Sequence, residues 1–356
     1  MLIKERAFTS ACFCFAVMFA PYLSSCSSTQ EQAKDSSTVA AAAPSKLSPE
    51  EQKKVDDAAA EMEVGRNMAG RLIKFYGAYP DEKLVRYVNE VGALVGRYSD
   101  FPERRYMFEV YYSDEVNAFA CPGGYILVSL GALKNASNEA ELAHVLGHEI
   151  AHVGKKHMFN ALAKMSADEL KKTGDQATKF NDLPEEMKAR KRPDPEESAV
   201  GSLVARYLTG NSAGLNIIQA ARAGMSLITE KGLGANLEYE ADREGTRYAI
   251  NAGYNSRALI NFLCRIETAR GHNANYCMQK PKDTEKAVST LDKTHPPIPD
   301  RILNIKEVLK AMKANAIVGA KGRKRYLAIK ERIKGVTAEQ EQENDKNDSA
   351  PDLGKD

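Results

Sequence analysis

His148-Glu149-Ile150-Ala151-His152 decides how the rest of the chain is read. On an α-helix, a spacing of four puts both imidazoles on one face, about one turn apart. From there both can reach a single Zn²⁺ at roughly 2.0–2.1 Å. Glu149 lies beside them, where a carboxylate can take a proton from water on such a metal. Upstream, Asn138 and Glu141 form an N-x-x-E helix entry, so the helix is predicted to begin there and to run through the motif.

A zinc site of this kind needs a third protein ligand and an open fourth position. The metzincin pattern would require Gly and His at positions 8 and 11 of the motif. Lys155 and Met158 stand there instead, and that reading fails. Glu238 and Asp242 offer another solution, because they share a face of a predicted helix. Glu238 could bind the metal while Asp242 accepts the N–H of a ligating histidine. A solvated acidic face is the other reading of the pair, and spacing does not choose between them.

Further outward, Ser48-Pro49-Glu50-Glu51 is a helix start that predicts a helix to about Tyr76. A second is expected over residues 82–97. Strands are expected at 108–112 and 125–129, and later helices at 202–208, 217–228, 237–252, 256–270 and 300–313. Residues 165–200 carry charge runs and Pro193-Asp194-Pro195, and read as a mobile insertion rather than core. The tail, 336–356, is acidic and polar and reads as disordered. Helices outnumber strands, so the class is α+β, mostly α, with the folded domain over residues 48–335.

The N-terminus has a different character. Lys4 and Arg6 precede an apolar run, Ala11 to Ala20, of the length of a secretory signal core and too short to span a bilayer. Leu23-Ser24-Ser25-Cys26 resembles the bacterial lipoprotein signal. Residues 1–25 would then be removed, Cys26 lipidated, and the small polar stretch to residue 47 would act as a tether. Ser27 is compatible with sorting to an outer membrane, facing the periplasm. In an oxidising compartment Cys264 and Cys277 could close a short loop, leaving Cys121 free. Formal net charge is +2 with acids and bases interspersed, which gives no sign of a nucleic-acid partner.

Several blocks together resemble the M48 family of zinc metallopeptidases. They are Ala140-Glu141-Leu142-Ala143 before the motif, Asn117-Ala118-Phe119 with Pro122-Gly123-Gly124, Glu238 to Asp242 with Gly245, Ala252-Gly253-Tyr254, and Thr294-His295-Pro296 followed by Arg301-Ile302. They occur in the family's order from about residue 60 to 305, and the likeness is to bacterial periplasmic lipoprotein members. The resemblance implies a zincin-like domain with a small sheet beside the motif helix and one zinc held by His148, His152 and Glu238. It implies Glu149 as general base and Asp242 behind a ligand. His295 would stabilise an oxyanion or occupy the open position at rest, and Arg301 would support it or the substrate. Asn117 and Ala118 would lie on an edge strand that pairs with an extended peptide. The chain departs from the family at Gly234-Ala235-Asn236-Leu237, where Ser-Arg is usual, at Cys121, and in its insertion.

The implied activity is endoproteolysis of extended or misfolded envelope proteins, in the manner of quality control. A lipid-anchored chaperone with repressed proteolysis is the competing reading, and Glu149 discriminates, since chaperoning does not need it. His144 reads as a packed histidine. His157 reads as a helix-end residue interacting with carbonyls or solvent. Cys121 reads as a buried thiol.

Overall fold

The computed structural model describes residues 48–176, 217–273, 276–278, 289–314 and 319–336. The signal and tether, the expected helix at 202–208, residues 177–200 of the insertion and the tail beyond Val336 lie outside the described residues.

Helix α1 (Pro49–Tyr76) opens with the reciprocal cap its sequence encodes: Glu51 N donates to Ser48 Oγ, and the Glu51 carboxylate accepts from Ser48 N at 2.9 Å. Ala60, Val64, Met68 and Leu72 recur every fourth residue and form its buried stripe. Helix α2 (Glu82–Arg97) starts at the cap Asp81. Against them packs a three-stranded sheet of β1 (Met107–Tyr111), β2 (Ala118–Cys121) and β3 (Tyr125–Ser129). Its order is β1-β3-β2, with β1 parallel and β2 antiparallel to the central β3. Period-two alternation divides it between two cores. Phe108, Val110, Ile126 and Val128 face the core shared with α2. Tyr111, Phe119, Cys121 and Leu127 face that shared with α1.

After α3 (Leu130–Asn135), helix α4 (Glu139–Gly154) carries the motif. The Asn138 side chain accepts from Glu141 N at 3.1 Å, so the predicted entry is the observed one. Every residue of α4 except Val145 is buried. A helix covered all round belongs at the centre of a fold, and its polar residues then need a reason to be there.

α5 (His157–Ala163) and α6 (Ala167–Gln176) follow, then α7 (Ile217–Ser226), α8 (Ala235–Asn251), α9 (Ala258–Ala269), α10 (Thr290–Thr294), α11 (Ile298–Ala311) and α12 (Arg323–Lys330). The expectation of a mobile insertion fails for its first part. Leu170 of α6 is fully buried in one core with Ala220, Ala221 and Ala223 of α7. One leucine suffices because the alanines let the helices approach closely, so little apolar sequence marks the packing.

Cys264 on α9 and Cys277 in the turn Tyr276–Met278 are joined by a disulfide. Cys121 is a free, buried thiol. The chain then returns to the head of α4. Glu139 accepts from Arg325 Nε and Nη2, both at 2.5 Å, and from Tyr87 and Tyr254 hydroxyls at 2.7 and 2.8 Å. Burial would raise this carboxyl, but these donors outweigh it and hold it below its ordinary value. Among the described residues no helix is long and apolar enough to cross a membrane.

Candidate metal centre

Two glycines bring the chemistry together. A Cβ on Gly245 of α8 would stand 2.4 Å from His148 N, and one on Gly147 of α4 would stand 2.6 Å from Gly245 O. The two helices therefore touch backbone to backbone, and Glu238 and Asp242 face the motif histidines. Gly245→Ala is expected to wedge them apart at a cost of about 1–3 kcal/mol. Thermal melting of the chelator-treated protein measures this, and an unchanged midpoint would contradict the close crossing.

At this crossing His148 Nε2 lies 3.1 Å from His152 Nε2 and 3.4 Å from Glu238 Oε2, and His152 Nε2 lies 3.5 Å from Glu238 Oε1. His295 Nε2 is 3.1 Å from Glu238 Oε2. Bonds of roughly 2.0–2.1 Å to a tetrahedral zinc imply ligand-to-ligand distances of about 3.3 Å, and these separations bracket that value. Glu238 Oε2 is buried without a hydrogen bond although two ring nitrogens approach it. Nitrogens presenting lone pairs to a carboxylate at such distances make a cation site rather than a hydrogen-bonded cluster. The donor set of imidazoles and a carboxylate fits zinc.

The partners of the outward-facing nitrogens agree. His148 Nδ1 lies 3.0 Å from Asp242 Oδ1, an acceptor only, so Nδ1 carries the proton and Nε2 points its lone pair inward. Asp242, 0 % exposed, also accepts from Arg301 Nε at 2.9 Å and Nη2 at 2.6 Å. Burial would raise its carboxyl, but Arg301 and His148 outweigh burial and bring it down to about 2. Burial alone would lower His148, yet Asp242 and Glu238 push it up to about 9, so Nε2 takes a proton wherever no cation displaces it. Glu238 is held well below its ordinary value, burial being outweighed chiefly by His295 and His152. This is a field that attracts positive charge.

His295 arrives from the end of α10, whose Ser289 and Asp292 make a reciprocal cap. Thr294 Oγ1 donates its one proton to Thr290 O at 2.8 Å, so at 2.8 Å from His295 Nδ1 it can only accept. His295 therefore carries its proton on Nδ1 and turns an unprotonated Nε2 toward Glu238. Gly232, at φ +72°, lets the wide turn Leu227–Lys231 end against this segment, since a Cβ there would meet Thr294 O at 2.3 Å.

Glu149 is 6 % exposed and stands between two clefts. One has apolar walls that include Val145, Leu259, Phe262, Leu263, Ile266 and Leu291, and reaches Arg301. The other follows Phe119 and Ala120 past His152 and Leu227. Ala118, Glu149 and His295 border both. Burial raises the Glu149 carboxyl above its ordinary value, against the pull of His148 and His152.

The expected residues are brought together, with three changes of emphasis. Arg301 is bound by Asp242 and so reaches His148 from behind. On the edge strand, Ser129 N donates to Asn117 O at 3.1 Å, so Asn117 faces β3 and, by alternation, Ala118 and Ala120 turn their backbone groups outward. Among the described residues no strand pairs with that edge. The pairing positions are therefore Ala118 and Ala120, while the Asn117 side chain accepts from Ala118 N at 2.9 Å. Third, His157 is neither solvated nor at a helix C-terminus. Lys156, at φ 57°, reverses the chain after α4, and His157 begins α5 buried beneath His152. Burial lowers it to about 3.

The family description "Peptidase family M48" matches residues 82–309, more than half of the chain. The beta-barrel assembly-enhancing protease of Escherichia coli (strain K12) is 26% identical over 209 residues, which cover 58% of this chain and 37% of that protein. The Yersinia pestis protein of the same name is 24% identical over 259 residues, 72% of this chain and 44% of its own length. The mitochondrial metalloendopeptidase OMA1 of Arabidopsis thaliana is 41% identical over 49 residues, 14% of this chain and 10% of that one. The matches thus span less than half the length of each relative.

Proposed function

The chain belongs to peptidase family M48, and from that premise we propose that it is a zinc metalloendopeptidase of a bacterial cell envelope, acting on extended or misfolded proteins. The observation that carries the reading is the convergence of His148, His152 and Glu238 at tetrahedral spacing with Glu149 on the cleft side. Those three would hold one zinc ion, with Asp242 orienting His148. Zinc bound there supplies acidification of a water and polarisation of the scissile carbonyl.

Glu149 takes the proton of the attacking water and hands it to the leaving amine. Its burial favours this, since a raised carboxyl pKa makes a stronger base. Of the two roles implied for His295, the Nδ1–H tautomer favours occupation of the open position at rest, because Nε2 then has no proton to offer an oxyanion. Arg301 acts through Asp242.

A substrate strand laid along Ala118 and Ala120 would cross between Glu149 and His295, with a cleft on either side. Backbone pairing of this kind selects for extended chains rather than for sequence. The apolar cleft adds a preference for a large aliphatic or aromatic side chain beside the scissile bond. Attachment to a membrane through lipidated Cys26 rests on Leu23-Ser24-Ser25-Cys26, and an envelope location is compatible with bacterial relatives named for enhancing beta-barrel assembly.

The test is digestion of unfolded casein by zinc-loaded residues 27–356, with a chelated control and mass spectrometry of the products. Cleavage is expected only with zinc, and with Leu or Phe enriched at one subsite roughly tenfold or more over charged residues. Val145→Phe, which fills the cleft wall, should shift that preference to smaller residues. A zinc-loaded protein that leaves casein intact would overturn the peptidase reading, and products without an apolar position would overturn the role of the cleft.

A further inference from the structure

We propose that His157 and Glu240 form a proton-fixing relay behind His152, making both positioning residues for the metal centre. The proposal rests on the reading of His152 as a zinc ligand and extends it to two residues outside the motif.

A neutral imidazole that presents Nε2 to a metal carries its proton on Nδ1. His152 Nε2 faces Glu238 and His148, so its Nδ1 is a donor that points away from the centre. In a buried site that donor needs an acceptor. His157 Nδ1 lies 3.1 Å from it, and the rings meet nearly at right angles, at 86°. Two protonated nitrogens cannot make this contact, so His157 accepts there and carries its own proton on Nε2. That nitrogen is buried, makes no hydrogen bond, and lies 3.5 Å from Glu240 Oε2. A small closure of that distance completes the series Glu240, His157, His152.

The two histidines of the motif are thus supported by different means. Asp242 fixes His148 directly with a carboxylate. His152 is reached through a second imidazole, with Glu240 behind it. The carboxylate is anchored from the surface by Lys155 and Arg243, each with a nitrogen 3.8 Å from Glu240 Oε1. The reversal at Lys156 is what places the His157 ring within reach.

The test measures zinc affinity of the full soluble chain by competition with a chromophoric chelator. His157→Leu removes the acceptor, His157→Asn returns an oxygen near the Nδ1 position, and His152→Ala is the reference for a lost ligand. His157→Leu is expected to weaken zinc binding 10- to 100-fold, with His157→Asn recovering most of the loss and Glu240→Gln showing a smaller one. In the zinc-loaded wild type, ¹⁵N-histidine spectra should show His152 protonated at Nδ1 and His157 at Nε2. Wild-type affinity in a folded His157→Leu protein, an Asn variant no better than Leu, or His157 protonated at Nδ1 would each overturn the relay. The spectra decide the matter even if the Leu variant does not fold. A wild type that takes up no zinc, or a His152→Ala variant that binds it normally, would instead bring down the metal-site reading on which the relay stands.

Discussion

Glu149→Gln is expected to lower kcat/KM for peptide hydrolysis by about 10²–10⁴-fold, the usual contribution of a general base, while zinc content stays at one equivalent. The substitution keeps volume and shape, and Glu149 does not belong to the converging donors, so the metal has no reason to leave. What is lost is the capacity to take a proton. Glutamine cannot accept one at neutral pH, so the fall should appear in kcat with little change in KM. The same variant separates the two classes of function that the sequence allows. Suppression of aggregation by strand binding along Ala118 and Ala120 would survive it, and proteolysis would not. Activity within tenfold of wild type would remove Glu149 from the mechanism, whatever the metal does.

The parts of this fold that the sequence announces are those governed by local rules. Ser48 and Glu51 set the start of α1, Asn138 and Glu141 that of α4, and the spacing of His148 with His152 and of Glu238 with Asp242 gives the shared faces. Features that depend on what a helix meets were harder to read. Nothing in Ala167 to Gln176 advertises burial, because its partner α7 is rich in alanine. The place of His157 is not legible in the sequence because five residues after His152 is no helical neighbour, and only the left-handed Lys156 folds it back. Ala120 could not be chosen over Asn117 without the register of β2 on β3. The purpose of Gly147 is visible only in the backbone crossing with Gly245.

Arg301→Met is expected to destabilise the zinc-free protein by about 3–5 kcal/mol, the range found when one partner of a buried ion pair is removed. Arg301 is 4 % exposed and meets Asp242 with two nitrogens, so its loss leaves a carboxylate in the interior with His148 Nδ1 as its remaining donor among the contacts described above. Asp242→Leu combined with Arg301→Met removes the charge as well and should recover much of the stability. It should not recover zinc affinity, because His148 then has nothing to fix its tautomer. Acid should erase the difference. The Asp242 carboxyl is depressed from 3.8 to about 2 in the folded wild type, so its contribution is full above roughly pH 4 and is lost as pH falls toward 2. In Arg301→Met the carboxyl takes up its proton at higher pH, and the gap between variant and wild type should close below pH 4. Urea titrations of the chelated proteins at pH 7 and pH 3 measure both effects. A penalty below about 1 kcal/mol at pH 7, or a double variant no more stable than the single one, would mean that Asp242 does not depend on Arg301 for its charge.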